Sequence, residues 1–83
     1  MTTSRTALPD RLTALLVDRF GIPASAAVPG ATFDDLGVDS LVIVEFALLL
    51  KKEFGVLLTD GELRASDTVA DAAALLVAKG VPA

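Results

Sequence analysis

The stretch Leu41 to Phe54 reads LVIVEFALLLKKEF, an almost unbroken apolar run in a chain of only 83 residues. Ile43, Phe46, Ala47, Leu50 and Phe54 follow the i, i+3, i+4, i+7, i+11 spacing of one continuous helical face. Leu41, Val44 and Leu48 form a second stripe offset by one residue, and Val42 and Leu49 lie at further angles. Only Glu45, Lys51, Lys52 and Glu53 carry charge. A large protein buries such a helix on every side, but a domain this small has too few partners to do so. The first stripe therefore docks the helix. The second is either covered by a neighbouring loop, through Phe33 or Val28, or left open as a contact surface.

The rest of the chain supplies helices to dock against. Pro9 to Phe20 is expected to be helical, with Leu8, Leu12, Leu15, Leu16 and Phe20 at helical spacing, Pro9 in the first turn and Gly21 just past the end. Gly21 to Val38 shows no regular element and reads as a long loop, with Ile22, Val28, Phe33 and Leu36 available to tie it to the core. The apolar helix runs from Ser40 to Phe54 and ends at Gly55. Gly55 to Thr59 could be briefly extended. Thr59-Asp60-Gly61-Glu62 has the Thr and Glu spacing of a capping box and signals a third, short helix through Leu63 and Arg64. A fourth begins at Asp67-Thr68, continues through Val69, Ala72, Ala73, Leu75 and Leu76, and closes at Gly80. The expectation is an all-α, small four-helix bundle, three longer helices and one short, forming one domain over residues 1–83.

Composition removes several kinds of function. There is no Cys and no His, so disulfides, common structural zinc sites, a Cys nucleophile and a Ser-His pair are all absent. A net charge of −4 argues against nucleic acid, whose phosphates reward Lys and Arg. The run Leu41 to Leu50 is interrupted by Glu45 and falls short of the roughly 20 residues a bilayer span needs. Met1 to Arg5 lacks the apolar core of a secretory signal, so a soluble, cytoplasmic protein is expected, and a monomer is the expected state.

Ser40 stands where the loop hands over to the apolar helix, in the tripeptide Asp39-Ser40-Leu41. A hydroxyl there sits beside the electropositive start of a helix, a place suited to a phosphate. The same position suits a plain helix cap. A nucleophilic serine would need a general base, and without His only carboxylates or Lys remain. Nothing in the chain assembles an oxyanion hole, so no catalytic residue and no metal ligand is assigned.

Taken together, Phe33-Asp34-Asp35-Leu36-Gly37-Val38-Asp39-Ser40-Leu41, the apolar helix with Glu45, Glu53-Phe54-Gly55 and Asp67-Thr68-Val69 resemble the acyl carrier protein family over nearly the whole chain, from Leu8 to Gly80. The resemblance implies a free-standing carrier, not an enzyme, with 4′-phosphopantetheine joined to Ser40 through a phosphodiester and an acyl group held on its thiol as a thioester. It associates Asp39 with recognition and with the metal site of the modifying phosphopantetheinyl transferase, which uses coenzyme A and Mg²⁺. It maps the partner-binding face onto Leu41, Val44, Glu45 and Leu48. The lack of Cys agrees with a thiol brought in by the prosthetic group.

Two departures matter. Carriers of fatty acid synthesis tend to be acidic late in this helix, where Lys51 and Lys52 stand, and many are acidic just after the serine, where Val42 stands. Cations near a helix C-terminus also favour its dipole, yet they alter charge complementarity with partners. The implied setting is polyketide or related secondary-metabolite synthesis, with an acyltransferase, a ketosynthase or acyl- or aminoacyl-loading enzymes as partners. A stand-alone aminoacyl or peptidyl carrier is the alternative, although those often show Gly-Gly-His-Ser or Gly-Gly-Asp-Ser where this chain has Gly37-Val38-Asp39-Ser40. An unmodified helical docking module is the second alternative.

Overall fold

The structure is a computed structural model that describes residues 7–59 and 61–82. Among them are three helices and no named strand: α1 (Leu8–Phe20), α2 (Ser40–Phe54) and α3 (Val69–Ala78). None is long and apolar enough to cross a membrane.

Each helix ends where its sequence stops supporting one. Gly21 and Gly55 adopt left-handed φ values of 69° and 71°, and their N–H groups donate to the Leu16 and Lys51 carbonyls. At the end of α3, Gly80 takes φ 101°, its N–H donates to the Val77 carbonyl, and the Val81 N–H donates to the Leu76 carbonyl. This is a Schellman ending, and it folds Val81 back into the core beside buried Leu76. The start of α3 carries a complete capping box: Thr68 Oγ1 accepts from Asp71 N, and Asp71 Oδ2 accepts from Thr68 N, both at 3.0 Å.

The backbones of α1 and α3 come closest to one another, and α2 joins them through its side chains. Leu8, Leu12 and Leu16 of α1, Ile43, Phe46 and Leu50 of α2, and Val69, Ala72, Ala73 and Leu76 of α3 make the core. Phe33, from the long loop, is fully buried against them. Its ring lies 5.6 Å from that of Phe46, which meets Phe20 edge-on at 5.9 Å. Such pairs add roughly 0.5–1.5 kcal/mol each beyond the area they bury.

The long loop is pinned by its backbone as well. Ala31 and Pro29 carbonyls accept from the N–H groups of Val69 and Ala70, satisfying donors that the first turn of α3 would leave open. Phe33 N donates to the Asp67 carbonyl and Asp34 N to the Ala65 carbonyl, and Thr32 and Thr68 form an isolated antiparallel bridge. Of the expected loop anchors, Phe33 is buried, Ile22 and Leu36 are half-buried, and Val28 is exposed.

The short third helix expected at Thr59 to Arg64 is a correction: those of its residues that are described form a turn and bends with no helix, so three helices stand among the described residues. Asp60, part of that expectation, lies outside them. Gly61 sits at φ 86°, incompatible with a right-handed helix, and the Ala65 and Asp67 carbonyls are committed to the long loop. Glu62 Oε1 accepts from the Thr59 N–H at 2.7 Å and from the Thr59 hydroxyl at 2.8 Å. The reciprocal half of a capping box is not made there. Gly55 to Thr59 forms no strand, although Val56 is buried while Leu57 points out.

Glu62 Oε2 also meets Lys79 Nζ at 2.9 Å, closing the connection onto the end of α3. The Thr59 backbone N–H, then Lys79, then the Thr59 hydroxyl hold the Glu62 carboxyl down, from an ordinary 4.5 to about 2. Because the folded value is the lower one, the stabilisation is present above pH 4.5 and is lost as the pH falls towards 2. Urea midpoints measured across that window should fall more steeply for the wild type than for Glu62→Gln. Parallel slopes would show that the latch does not form.

Candidate functional site

The loop reaches α2 through a set of tight turns hung from Phe33. Thr32 Oγ1 accepts from Asp35 N at 3.0 Å, Leu36 N donates to the Thr32 and Phe33 carbonyls, and Gly37 N donates to the Asp34 carbonyl. Gly37 then takes φ 75°, a left-handed value that other residues adopt at a cost, and Val38 N donates back to the Phe33 carbonyl at 2.9 Å. Val38 is buried. With Phe33 and Val38 both in the core, the next residues have to emerge at the surface.

Asp39 is the cap of α2. Its backbone is extended (φ −85°, ψ −177°), its Oδ1 accepts from Val42 N at 3.0 Å, and its carbonyl accepts the first helical bond from Ile43 N at 2.9 Å. Ser40 is the first residue inside the helix and is exposed. Its hydroxyl makes no hydrogen bond to any of the described residues. The sequence left open whether this serine is a cap or a site of attachment; the capping task belongs to its neighbour. What remains is an accessible hydroxyl at the electropositive end of a 15-residue helix.

The second stripe of α2 is open. Leu41, Val44 and Leu48 are 70%, 54% and 63% exposed, and Leu57 beyond the end of the helix is 64% exposed. Neither loop residue expected to cover them does so: Phe33 is consumed by the core, and Val28 is itself exposed. Glu45 is exposed on the same helix. Leu57 was missed in the sequence, because Gly55 ends the helical period and the five residues to Thr59 offer no pattern from which to judge a face.

A groove of about 360 Å³ lies between α2 and the chain that follows it. Ser40, Val44, Leu48 and Lys51 line it from α2, and Leu57 and Leu63 line it from the opposite side. It was not foreseen, since it depends on how residues 56–63 fold back beside α2. Among the described residues no group of His, Cys, Asp or Glu could hold a metal ion. The arrangement offers an acceptor hydroxyl, a donor-rich helix end and an apolar trough. A phosphate at Ser40 would meet the helix end, and a chain running on from it would meet the apolar walls of the groove.

A comparison with protein families matches residues 10–76 to the family described as the phosphopantetheine attachment site. No solved structure matches the chain.

Capping by Asp39 rather than by Ser40 has a measurable consequence. Asp39→Ala should cost about 1 kcal/mol, within the 0.5–2 kcal/mol range of lost caps. Ser40→Ala should stay within about 0.5 kcal/mol of wild type, as an exposed substitution with no partner does. Urea denaturation of the unmodified proteins checks both, and a larger loss from Ser40→Ala would return the cap to the serine.

Proposed function

We propose that this chain, which belongs to the phosphopantetheine attachment site family, bears its prosthetic arm on Ser40 and uses the open face of α2 to meet its enzymes. Members of the family carry a covalently attached 4′-phosphopantetheine and are carriers rather than enzymes. Carrier domains of this kind work with phosphopantetheinyl transferases and synthase enzymes. The observation that carries the reading is the exposed Ser40 hydroxyl, unpartnered among the described residues because Asp39 caps the helix.

Loading makes Ser40 Oγ the nucleophile. A P–O bond forms from that oxygen to the coenzyme A phosphate as the bond to adenosine 3′,5′-bisphosphate breaks, and the serine proton passes to the transferase. The open N–H groups of the first turn of α2 then face the new phosphodiester, where the helix dipole favours negative charge. The exposed Asp39 carboxylate lies one residue from the attachment point, placed to be read by the transferase and its metal. Once attached, the arm supplies a thiol that holds an acyl group as a thioester, in a chain that has no cysteine of its own.

Leu41, Val44 and Leu48 offer apolar area to a partner, and Glu45 offers a carboxylate to a partner's basic group. Exposed apolar stripes of this kind tend to be interaction sites. Lys51 and Lys52, exposed at the last turns of α2, replace the acidic surface suited to fatty acid synthases with a cationic one. This favours dedicated partners of polyketide or related secondary-metabolite synthesis, such as an acyltransferase, a ketosynthase or a loading enzyme.

Incubation with a promiscuous phosphopantetheinyl transferase and coenzyme A, followed by intact mass measurement, tests the attachment. The wild type should gain one phosphopantetheinyl unit, and Ser40→Ala should gain none. An unmodified wild type, beside a control carrier loaded by the same transferase, would contradict the assignment and leave an unmodified docking module.

A further inference from the structure

We propose that Lys51 is a specificity-determining residue, holding a carboxylate on the acyl group at the end of the groove away from Ser40. The inference rests on Ser40 being the attachment point and goes beyond it by naming the cargo chemistry. Lys51 is the charged residue among the described residues that line the groove; the others are apolar or uncharged. Between Ser40 and Lys51 the helix advances about 16 Å along its axis, at 1.5 Å per residue. The arm, about five peptide lengths of chain from serine oxygen to sulfur, reaches roughly 17 Å when extended. An arm laid along the groove therefore delivers its thioester to the level of Lys51.

Charge decides what suits that position. Val44, Leu48, Leu57 and Leu63 reduce the water around a group lying in the groove, and a charge pair strengthens as the surroundings become less polar. A short acyl group ending in a carboxylate gives the ammonium a partner there. An uncharged acyl group of the same length gains the apolar walls alone. Dipole stabilisation at the helix end would apply equally to Lys52. Lys52, however, is turned about 100° from its neighbour on the helix and does not line the groove. Lys52 is thus the internal control.

The test loads the unmodified protein with malonyl- or butyryl-phosphopantetheine from the corresponding coenzyme A esters, with loading confirmed by intact mass. Side-chain resonances of the lysines are then followed by NMR, and thioester lifetime is measured in hydroxylamine. Malonyl loading should displace the Lys51 resonances and butyryl loading should not, with Lys52 unmoved by either. Lys51→Gln should shorten the malonyl thioester lifetime about threefold, the size of a partly exposed ion pair. It should leave the butyryl lifetime unchanged, and Lys52→Gln should alter neither. Equal responses to the two cargoes, or equal effects of Lys51→Gln and Lys52→Gln, would overturn the proposal. Failure of the wild type to gain mass would instead contradict the Ser40 attachment beneath it, so the two failures are told apart by the mass measurement.

Discussion

Burial of Phe33 against Phe46 is the contact on which the geometry of this molecule depends. The segment between α1 and α2 has no helix or strand of its own to set its path. Phe33 fixes its middle by placing a ring 5.6 Å from that of Phe46, while its neighbours Thr32 and Asp34 engage the backbone ahead of α3. From that anchor a few tight turns lead through Gly37 to buried Val38. The point at which the chain leaves the core, and so where α2 begins, follows directly. A domain of this size has of the order of 5–15 kcal/mol of stability, and fully burying one aromatic side chain contributes about 1.5–3 kcal/mol of it. Loss of this anchor would therefore disturb the site and the fold together.

Capping at the start of α2 falls to Asp39 and leaves the adjacent Ser40 hydroxyl uncommitted among the described residues. A helix needs acceptors for its first N–H groups, and a tethered group needs a free hydroxyl. If one serine served both, attachment would remove the cap. Asp39 meets the first need through Val42 N, so a group joined to Ser40, as proposed, would leave that hydrogen bond in place. The apolar stripe of Leu41, Val44 and Leu48 follows the same logic. The core takes Ile43, Phe46 and Leu50, the helices among the described residues leave the rest uncovered, and the surplus forms an open surface beside Ser40.

Much of this was legible in the residues, and the exceptions share a cause. The helical periods, the glycine endings and the helix start at Asp67-Thr68 act within a few residues, and the structure forms them. The four-helix expectation failed at a place where local pattern is ambiguous. Thr59 and Glu62 have the same spacing as Thr68 and Asp71, yet only the second pair nucleates a helix. Gly61 at positive φ and the commitment of the Ala65 and Asp67 carbonyls to the loop decide the difference. The second of these is a contact between segments some thirty residues apart, which a local reading cannot see. Whether the stripe of α2 was covered depended likewise on which loop residue turned inward, and Phe33 and Val28 looked alike in that respect. The groove arises from the return of residues 56–63 beside α2, where no periodicity exists to read. Ser40 itself was singled out by its tripeptide and helix boundary, but the identity of the cap needed coordinates.

Amide hydrogen exchange at Val42 tests the division between cap and tether most directly, comparing unmodified, phosphopantetheinylated and Ser40→Ala protein. With Asp39 as the cap, Val42 keeps the same protection in all three. If protection falls in Ser40→Ala, or the amide transfers its hydrogen bond to the new phosphate on loading, cap and tether are one function and the account is contradicted.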